Sequence, residues 1–511
     1  MSSCMDTQTL DTVKKPLRIM KFGGTSVGDA TRIRKVVEII REAARGSEVV
    51  VVVSAMSGVT NRLIEAASQA EAGNRDAVDA IFQELRDRHS AAVSALIHSV
   101  EMRSRLSREL RLVFEEGERL CQGTTLLREL TVRAQDSISS LGERLSAPLV
   151  AAALADCRVR SEAVEATQVV VTDDCHGSAD PLTGPTRERC ESRLRPILQR
   201  GAIPVVTGFI GATEKGVLTT LGRGGSDYSA TILGAALDAD EVIIWTDVDG
   251  LMTADPRLVL GATTIPEISY REAAELAHFG AKVLHPKTLR AVTQCGIPLW
   301  IRNTFFPERP GTRVTPAGSS ADQAVKGLTA ITDVTLITVD GPGIVGIPDV
   351  LGRTFAATAA ARGNVLLISQ SSSQNDICLV VPSSGAERTA EALRREFARD
   401  LAHEKMDHIT LDPYVAIVTV VGKNMCGSGT VGRTFTALSR ENVNLIAIAQ
   451  GSSECNLSLI VKQQEVKTAL HAIHQEFQLG VLDSRPLPVR SVDLGAANWH
   501  YDSGQQTASA D

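Results

Sequence analysis

The sequence contains no apolar run of the 18 or more residues that a helix needs to cross a bilayer; residues 49–53 are among its longest apolar stretches. Residues 1–20 hold no contiguous apolar core of a secretory signal, so a soluble, unexported, cytoplasmic chain is expected. No C-x-x-C pair occurs among the nine cysteines, which are odd in number and scattered. That pattern argues against the common zinc and redox spacings and fits reduced thiols. Basic charge is not in excess: 53 Lys and Arg stand against 60 Asp and Glu, a net charge of −7, which disfavours nucleic acid and anionic lipid as partners. There is also no G-x-x-x-x-G-K-[ST] string, which excludes a P-loop.

What is present is ordinary globular composition, and 511 residues are enough for about three domains. Residues 1–16 are polar and irregular. Residues 17–22 read as a strand ending in Gly23-Gly24, followed by a helical pattern over 30–44, an apolar strand at 49–53, a Ser/Gly loop and a helix from Thr60. This alternation predicts an α/β domain with a mostly parallel sheet over 17–310. A charged, helical excursion fills 75–135, and the sheet resumes at 204–208, 241–246 and 297–301. The Pro-, Gly-, Ser- and Thr-rich stretch around 311–326 reads as a linker.

Beyond the linker the sequence repeats. Gly352-Arg353-Thr354-Phe355 returns as Gly432-Arg433-Thr434-Phe435, Asn364 as Asn444, Ile368 as Ile448 and Gln370 as Gln450, always 80 residues on. Each copy follows a β-α-β-β-α-β order, which predicts two ferredoxin-like modules at 327–410 and 411–494 and a frayed tail at 495–511.

Three glycine-bearing loops follow strands of the first domain. Lys21-Phe22-Gly23-Gly24-Thr25-Ser26 puts a lysine at a strand end before glycines that let backbone N–H groups approach an anion. Residues 54–60 leave the second strand in the same manner and supply hydroxyls from Ser54 and Thr60. Gly222-Arg223-Gly224-Gly225-Ser226-Asp227 precedes an apolar-periodic helix; Ser226 or Asp227 fits an N-cap, and Arg223 is placed to fork a carboxylate or phosphate. A surface lysine in a tight turn, or simple capping, would explain each loop alone. Three together point to a nucleotide and an acidic substrate. Two further loops are dense in turn formers and basic groups, 245–257 and 279–286, where His285 reads as a capping or packing residue. The G-x-G-x-x-G string at 341–346 lacks the acidic residue about 20 positions on and lies inside a repeated module, so it is read as a decoy rather than a dinucleotide site.

Taken in order, KFGGTS (21–26), VVSAMSGVTN (52–61), GERLSA (142–147), GRGGSD (222–227), WTDVDGLMTADPR (245–257) and FGAKVLHP (279–286) resemble the aspartokinases of the amino-acid kinase family from Leu17 to about Leu494. The repeat is similar to a tandem pair of ACT modules. ISQSSS (368–373) and AIAQGSS (447–453) resemble the threonine-sensitive type, usually fused to homoserine dehydrogenase; this sequence stops before such a second enzyme, which suggests a monofunctional relative. The resemblance implies a three-layer αβα amino-acid kinase fold and transfer of the ATP γ-phosphate to the β-carboxylate of L-aspartate, with Mg²⁺ on the nucleotide. It implies catalytic roles for Lys21 and Asp227, and a substrate pocket of Ser54, Thr60, Glu143, Arg223 and Ser226. Glu143 is preferred to Glu118, whose GERL string is a near copy, because residues 126–131 and Ser146-Ala147 match the family surroundings. ATP would be held by Lys21, Gly23, Gly24, Thr25, Ser26, Thr246, Asp247, Asp255, Arg257, Lys282 and Val283. Met252 stands where many relatives carry tyrosine. Gln370, Gln450, Asn364 and Asn444 would bind a threonine or lysine effector, and a homodimer or larger assembly is implied. The rival readings are another carboxylate kinase of the family and a non-catalytic ACT sensor of amino acids.

Overall fold

The structure is a computed structural model that describes residues 15–279, 284–319, 324–341, 348–370, 376–425, 428–451 and 454–480. The chain divides into two compact units, one comprising residues up to Leu251, Thr264–Ala274 and Lys282–Ser320, the other Met252–Thr263, Glu275–Ala281 and the chain from Ala321 onward.

In the first unit, β1 (Leu17–Phe22) and β2 (Glu48–Val53) are nearly continuous apolar runs because both faces of a parallel sheet are covered. They are followed by β3 (Ser161–Val164), β4 (Val171–Thr172), β5 (Ile203–Thr207), β6 (Ile210–Thr213), β7 (Leu218–Thr220), β8 (Glu241–Thr246), β9 (Glu267–Ser269), β10 (Leu299–Asn303) and β11 (Thr312–Thr315). The main sheet runs β3-β5-β2-β1-β8-β10-β11-β9, and β4, β6 and β7 form a small second sheet. The β3-to-β10 portion is parallel; β11 is antiparallel to β10. Register brings Phe22 beside Val53 and Trp245, Val53 beside Thr207, and Thr246 beside Asn303. Five strands therefore finish at one level, the edge where ligands of open α/β sheets bind. The excursion expected over 75–135 is three helices, Arg75–Leu96, Val100–Leu127 and Val132–Ser139. The latter two are N-capped by Ser99 and Thr131, whose hydroxyls accept from Met102 and Ala134 N–H. They pack Leu85, Phe114 and Leu110 into the same core as Phe22, Val53 and Leu145.

The stretch expected to be a linker contains β11, which joins the main sheet. Its Pro and Gly residues mark the turns on either side of a short strand, which composition alone did not separate from a spacer.

The second unit has β12 (Val325–Asp340), β13 (Leu367–Gln370), β14 (Asp376–Pro382), β15 (His408–Gly422), β16 (Leu445–Ala449) and β17 (Asn456–Lys462), in antiparallel order β13-β14-β12-β15-β17-β16. The expected pair of βαββαβ modules is there, but not as consecutive segments. The second half of β12, from Val334, pairs with β14 and with the first half of β15, closing module one. The first half of β12, Val325 to Ile331, pairs instead with the second half of β15, which carries β17. Module two thus takes its outer strand from ahead of module one, and module one is inserted within it. Register breaks between Ile331, Val334 and Leu336 mark the handover. The boundaries expected at 327 and 410 cut through these shared strands.

The 80-residue repeat recurs in side-chain detail. Arg353 donates to Glu396 Oε1 at 2.7 Å and lies 4.5 Å over the Phe397 ring; Arg433 donates to Glu476 Oε1 at 2.9 Å and lies 4.5 Å over Phe477. In each module one arginine ties the first helix to the end of the second through charge and ring stacking. The sheet's two edge strands approach each other, Ser369 Oγ donating to the Ile448 carbonyl at 3.2 Å.

Residues Met252–Thr263 also belong to the second unit. Ala254 and Val259 are buried in the module-two core with Val418, Leu459 and Leu470. Leu328 N–H donates to the Thr253 carbonyl at 2.7 Å, and the Thr253 hydroxyl lies 3.1 Å from His474 Nε2.

Leu328, 2% exposed in the first half of β12, packs in the module-two cluster. Leu328→Ala is expected to cost about 2–5 kcal/mol. Amide exchange should accelerate more in 456–477 than in 376–397; equal acceleration in both would contradict the nested arrangement.

Candidate functional site

The site is assembled at the carboxyl edge of the main sheet. Lys21, one residue before the end of β1, is only 7% exposed and places Nζ 2.5 Å from Asp227 Oδ1. This contact is ionic in distance and off the hydrogen-bonding direction. Asp227 sits in the first turn of the helix Gly225–Ala236, whose N-cap is Gly224 at φ +71°, with no side-chain cap. The capping role expected of Ser226 or Asp227 is therefore replaced: both are inside the helix, and Asp227 faces Lys21. A left-handed cap needs glycine more than a hydroxyl.

The turn after β1 is bound to its neighbours by Gly23 N–H to the Trp245 carbonyl at 3.2 Å and by the Ser26 hydroxyl 2.7 Å from that of Thr304. Ser26 and Val27 N–H groups both return to the Gly23 carbonyl, which leaves those of Gly24 and Thr25 without a partner among the described residues. Two free backbone donors beside a lysine form a concavity for an anion. Gly24 is required there, because a Cβ would lie 2.9 Å from the Ala55 carbonyl.

Ser54 follows β2, Thr60 lies in the first turn of the helix Val59–Ala72, and between them Ala55 N–H donates to Glu143 Oε1 at 3.1 Å. Glu143 rides on the helix Leu141–Asp156, 3% exposed, and its Oε2 has no partner. The close approach depends on Gly142, where a Cβ would meet that of Ala55 at 2.6 Å. Burial pushes the Glu143 carboxyl up to about 8, against the lowering pull of the Ala55 N–H, its own N–H and the Lys21 charge. The other candidate, Glu118, is spent in an ion pair with Arg86.

Arg223 is exposed in the glycine loop, and no carboxylate pairs with it among the described residues. Beside it, His285 N-caps the helix Pro286–Cys295, accepting from Lys287 N–H at 3.3 Å. Its basicity is lowered by burial and by the charges of Lys287 and Arg223, and raised by Asp227. The same imidazole thus feels both charged ends of the GRGGSD segment. Ser226 is held against β5 because Gly208 has no side chain; a Cβ there would meet that of Ser226 at 2.7 Å. Thr246 ends β8 and Asp247 follows it, with the Thr246 hydroxyl donating to Asp247 at 3.2 Å.

Not every expected residue joins this set. Asp255 and Arg257 lie in the second unit, in an ion pair with each other at 2.6 Å. Lys282 and Val283 fall outside the described residues. Gln370 ends β13 and Asn444 immediately precedes β16, with Gln450 just after it and Asn364 ahead of β13. Sequence reasoning passed over Phe209, a non-glycine residue at φ +70° whose N–H is held by Ser229 Oγ at 2.9 Å. Its ring lies where a Cβ on Gly225 would be 2.7 Å away, and the only signal for it was the Gly208 ahead. Among the described residues no three carboxylate, His or Cys side chains converge as a metal cage, and no helix is long and apolar enough to cross a membrane.

An anion-accepting turn with a buried lysine, at the carboxyl edge of a parallel sheet, defines an α/β protein of the phosphate-handling kind. The family model described as Amino acid kinase family matches residues 16–303, and one for the ACT domain matches 337–397 and 418–477. Aspartokinase 3, chloroplastic, of Arabidopsis thaliana is 32% identical over 91% of this chain and 82% of its own. The chain belongs to the amino acid kinase family, in its aspartokinase branch with ACT domains. It is also 34% identical, over 90% of its length, to the bifunctional aspartokinase/homoserine dehydrogenase 1 of the same plant, and spans 51% of that relative. Among solved structures, E. coli aspartokinase III in complex with aspartate and ADP (R-state) has a TM-score of 0.74 at 29% identity, covering 90% of this chain and 99% of that one. The same enzyme with lysine and aspartate (T-state) scores 0.75 at 29% identity, covering 90% and 99%.

The raised Glu143 carboxyl has a pH signature. The folded chain holds a proton there between the ordinary value of 4.5 and about 8, while the unfolded chain releases it. This stabilising contribution is complete below 4.5, fades as pH rises, and is gone above about 8. Urea unfolding of the protein and of Glu143→Gln at a series of pH values should give a stability difference that shifts steadily across that window and is flat above it. A difference independent of pH would refute the raised value.

Proposed function

We propose that the protein is an aspartate kinase: the β-carboxylate of L-aspartate attacks the γ-phosphorus of ATP, a new P–O bond forms as the bond to the β-phosphate oxygen breaks, and 4-phospho-L-aspartate and ADP leave. The observation that carries this reading is the Lys21–Asp227 pair beside the free N–H groups of Gly24 and Thr25. Phosphoryl transfer asks chiefly for positioning and charge cancellation, and these groups supply both. The acceptor carboxylate is ionised at neutral pH and needs no base, which agrees with His285 being engaged as a cap. Lys21 neutralises the transferring group and Asp227 orients Lys21, while Gly23, Gly24, Thr25 and Ser26 cradle phosphate.

Arg223 clamps the substrate α-carboxylate, the unpartnered Glu143 Oε2 receives its ammonium, and Ser54, Thr60 and Ser226 complete the pocket. Thr246 and Asp247 serve ATP, which would arrive as its Mg²⁺ complex with the ion on phosphate oxygens and water. The aspartate and ADP bound by the E. coli neighbour support the choice of acceptor over other carboxylates. The catalytic role is assigned to the unit built on the main sheet, β11 included, and the sensing role to the two nested modules. That neighbour's lysine complex supports an amino-acid effector, lysine or threonine, near Gln370, Gln450, Asn364 and Asn444 of the repeat. The protein works in the cytoplasm as a homodimer or larger assembly, which light scattering checks.

Initial rates across aspartate, glutamate and acetylglutamate test the assignment, and preference for either of the last two would overturn it. Lys21→Ala should lower kcat by roughly a hundredfold or more while far-UV CD is unchanged. Arg223→Ala should raise the KM for aspartate roughly tenfold or more, with the KM for ATP little altered. Inhibition by threonine or lysine should weaken in Gln450→Ala; indifference of the unaltered protein to both would remove the effector site.

A further inference from the structure

The helix Val132–Ser139 carries a carboxylate that the reaction as described does not use. Asp136 is 2% exposed, yet both of its oxygens are occupied. Gly177 N–H lies 3.1 Å from Oδ1 and 3.0 Å from Oδ2, the Thr220 hydroxyl donates to Oδ1 at 2.5 Å, and His176 Nδ1 lies 2.8 Å from Oδ2. A buried carboxylate is tolerated when donors surround it in this way. Here they come from two separate segments, the turn around 176–178 and the last residue of β7.

Both segments adjoin the glycine loop. Thr220 is two residues before Gly222, and its carbonyl accepts from Ala179 N–H at 2.9 Å, which ties β7 to the same turn. Gly222, at φ +76°, packs so closely on that turn that a Cβ would lie 3.0 Å from the Gly177 carbonyl and 3.3 Å from Ser178 Oγ. Ser178 Oγ in turn accepts from Lys287 Nζ at 2.8 Å, two residues after His285, and a Cβ on Gly224 would touch that of His285 at 2.7 Å. The two glycines flanking Arg223 are thus wedged between the 176–178 turn on one side and His285 on the other. Left to itself, a Gly-Arg-Gly-Gly segment is conformationally loose.

We propose that Asp136 is a positioning residue for Arg223. By stapling the 176–178 turn to β7 it fixes the walls of the glycine loop, so that the guanidinium is presented in one place to the acceptor's carboxylate. This rests on the aspartate kinase reading. Its energetic logic is preorganisation: loop ordering is settled on folding rather than at binding, so the cost of losing it falls on acceptor affinity.

Asp136→Asn keeps the shape but removes the charge and turns one acceptor oxygen into an NH2 donor, so Thr220 and His176 can no longer both donate to this group. The expected result is a rise of roughly tenfold in the KM for aspartate, with kcat and the KM for ATP within about twofold of the unaltered enzyme. Amide exchange in the same protein, read without turnover, should accelerate at 176–178 and 221–225 and stay unchanged in 59–72. Should Asp136→Asn not fold, Thr220→Val removes one of the same donors and should show a smaller shift in the same direction. The proposal is overturned if loop exchange is unaltered, or if both KM values and kcat deteriorate together as general destabilisation requires. Failure of the unaltered enzyme to phosphorylate aspartate would instead refute the activity, while the exchange result would still decide the staple.

Discussion

A lysine ammonium set against an aspartate carboxylate, with hardly any solvent between the strand that carries one and the helix that carries the other, is the interaction around which the first unit is arranged. Lys21 can be there because β1 is central, flanked by β2 and β8 whose apolar runs bury its surroundings. Asp227 can be there because glycines at 222, 224 and 225 let its helix begin hard against Phe209 and His285. An isolated charge in such a place would be costly, and the opposite charge 2.5 Å away offsets part of that cost. The same low-dielectric setting is what makes a fixed positive charge effective against phosphate.

Glu143 shows the complementary use of burial. Its carboxyl is brought under the β2 loop by a glycine contact and left with one oxygen unpartnered, so that desolvation raises its proton affinity. A cation entering the pocket would supply what the apolar surroundings withhold, and the proton would leave. Any positive charge brought beside this carboxyl is thereby linked to its ionisation, with Lys21 contributing to the same balance.

The second unit is governed by a different constraint. Two ferredoxin-like modules share two long strands, each contributing one half to either module, so neither has a complete sheet without the other. Within each module an arginine clamps helix to helix, and the Met252–Thr263 segment is buried in the module-two core. The segment that carries Asp255 and Arg257 is thereby held by module-two residues such as Leu328 and His474.

Much of this was legible in the residues. Apolar, strand-like runs placed β1, β2 and β8 to within a residue, and glycine beside Lys21 and Arg223 marked the turns at the carboxyl edge. An exact 80-residue spacing announced the twin modules. What spacing alone could not show was partnership across the chain. Gly224 rather than Ser226 caps its helix, in a left-handed conformation packed so closely on His285, 61 residues away, that a Cβ would not fit. Asp136 looks like any helical aspartate until Gly177 and Thr220 fold onto it. The nested order of the modules was hidden because a repeat records similarity and says nothing of which strand pairs with which. Local chemistry sets the period of an element and the turn that ends it, whereas register, burial and charge compensation are properties of neighbours brought together only when the chain has folded.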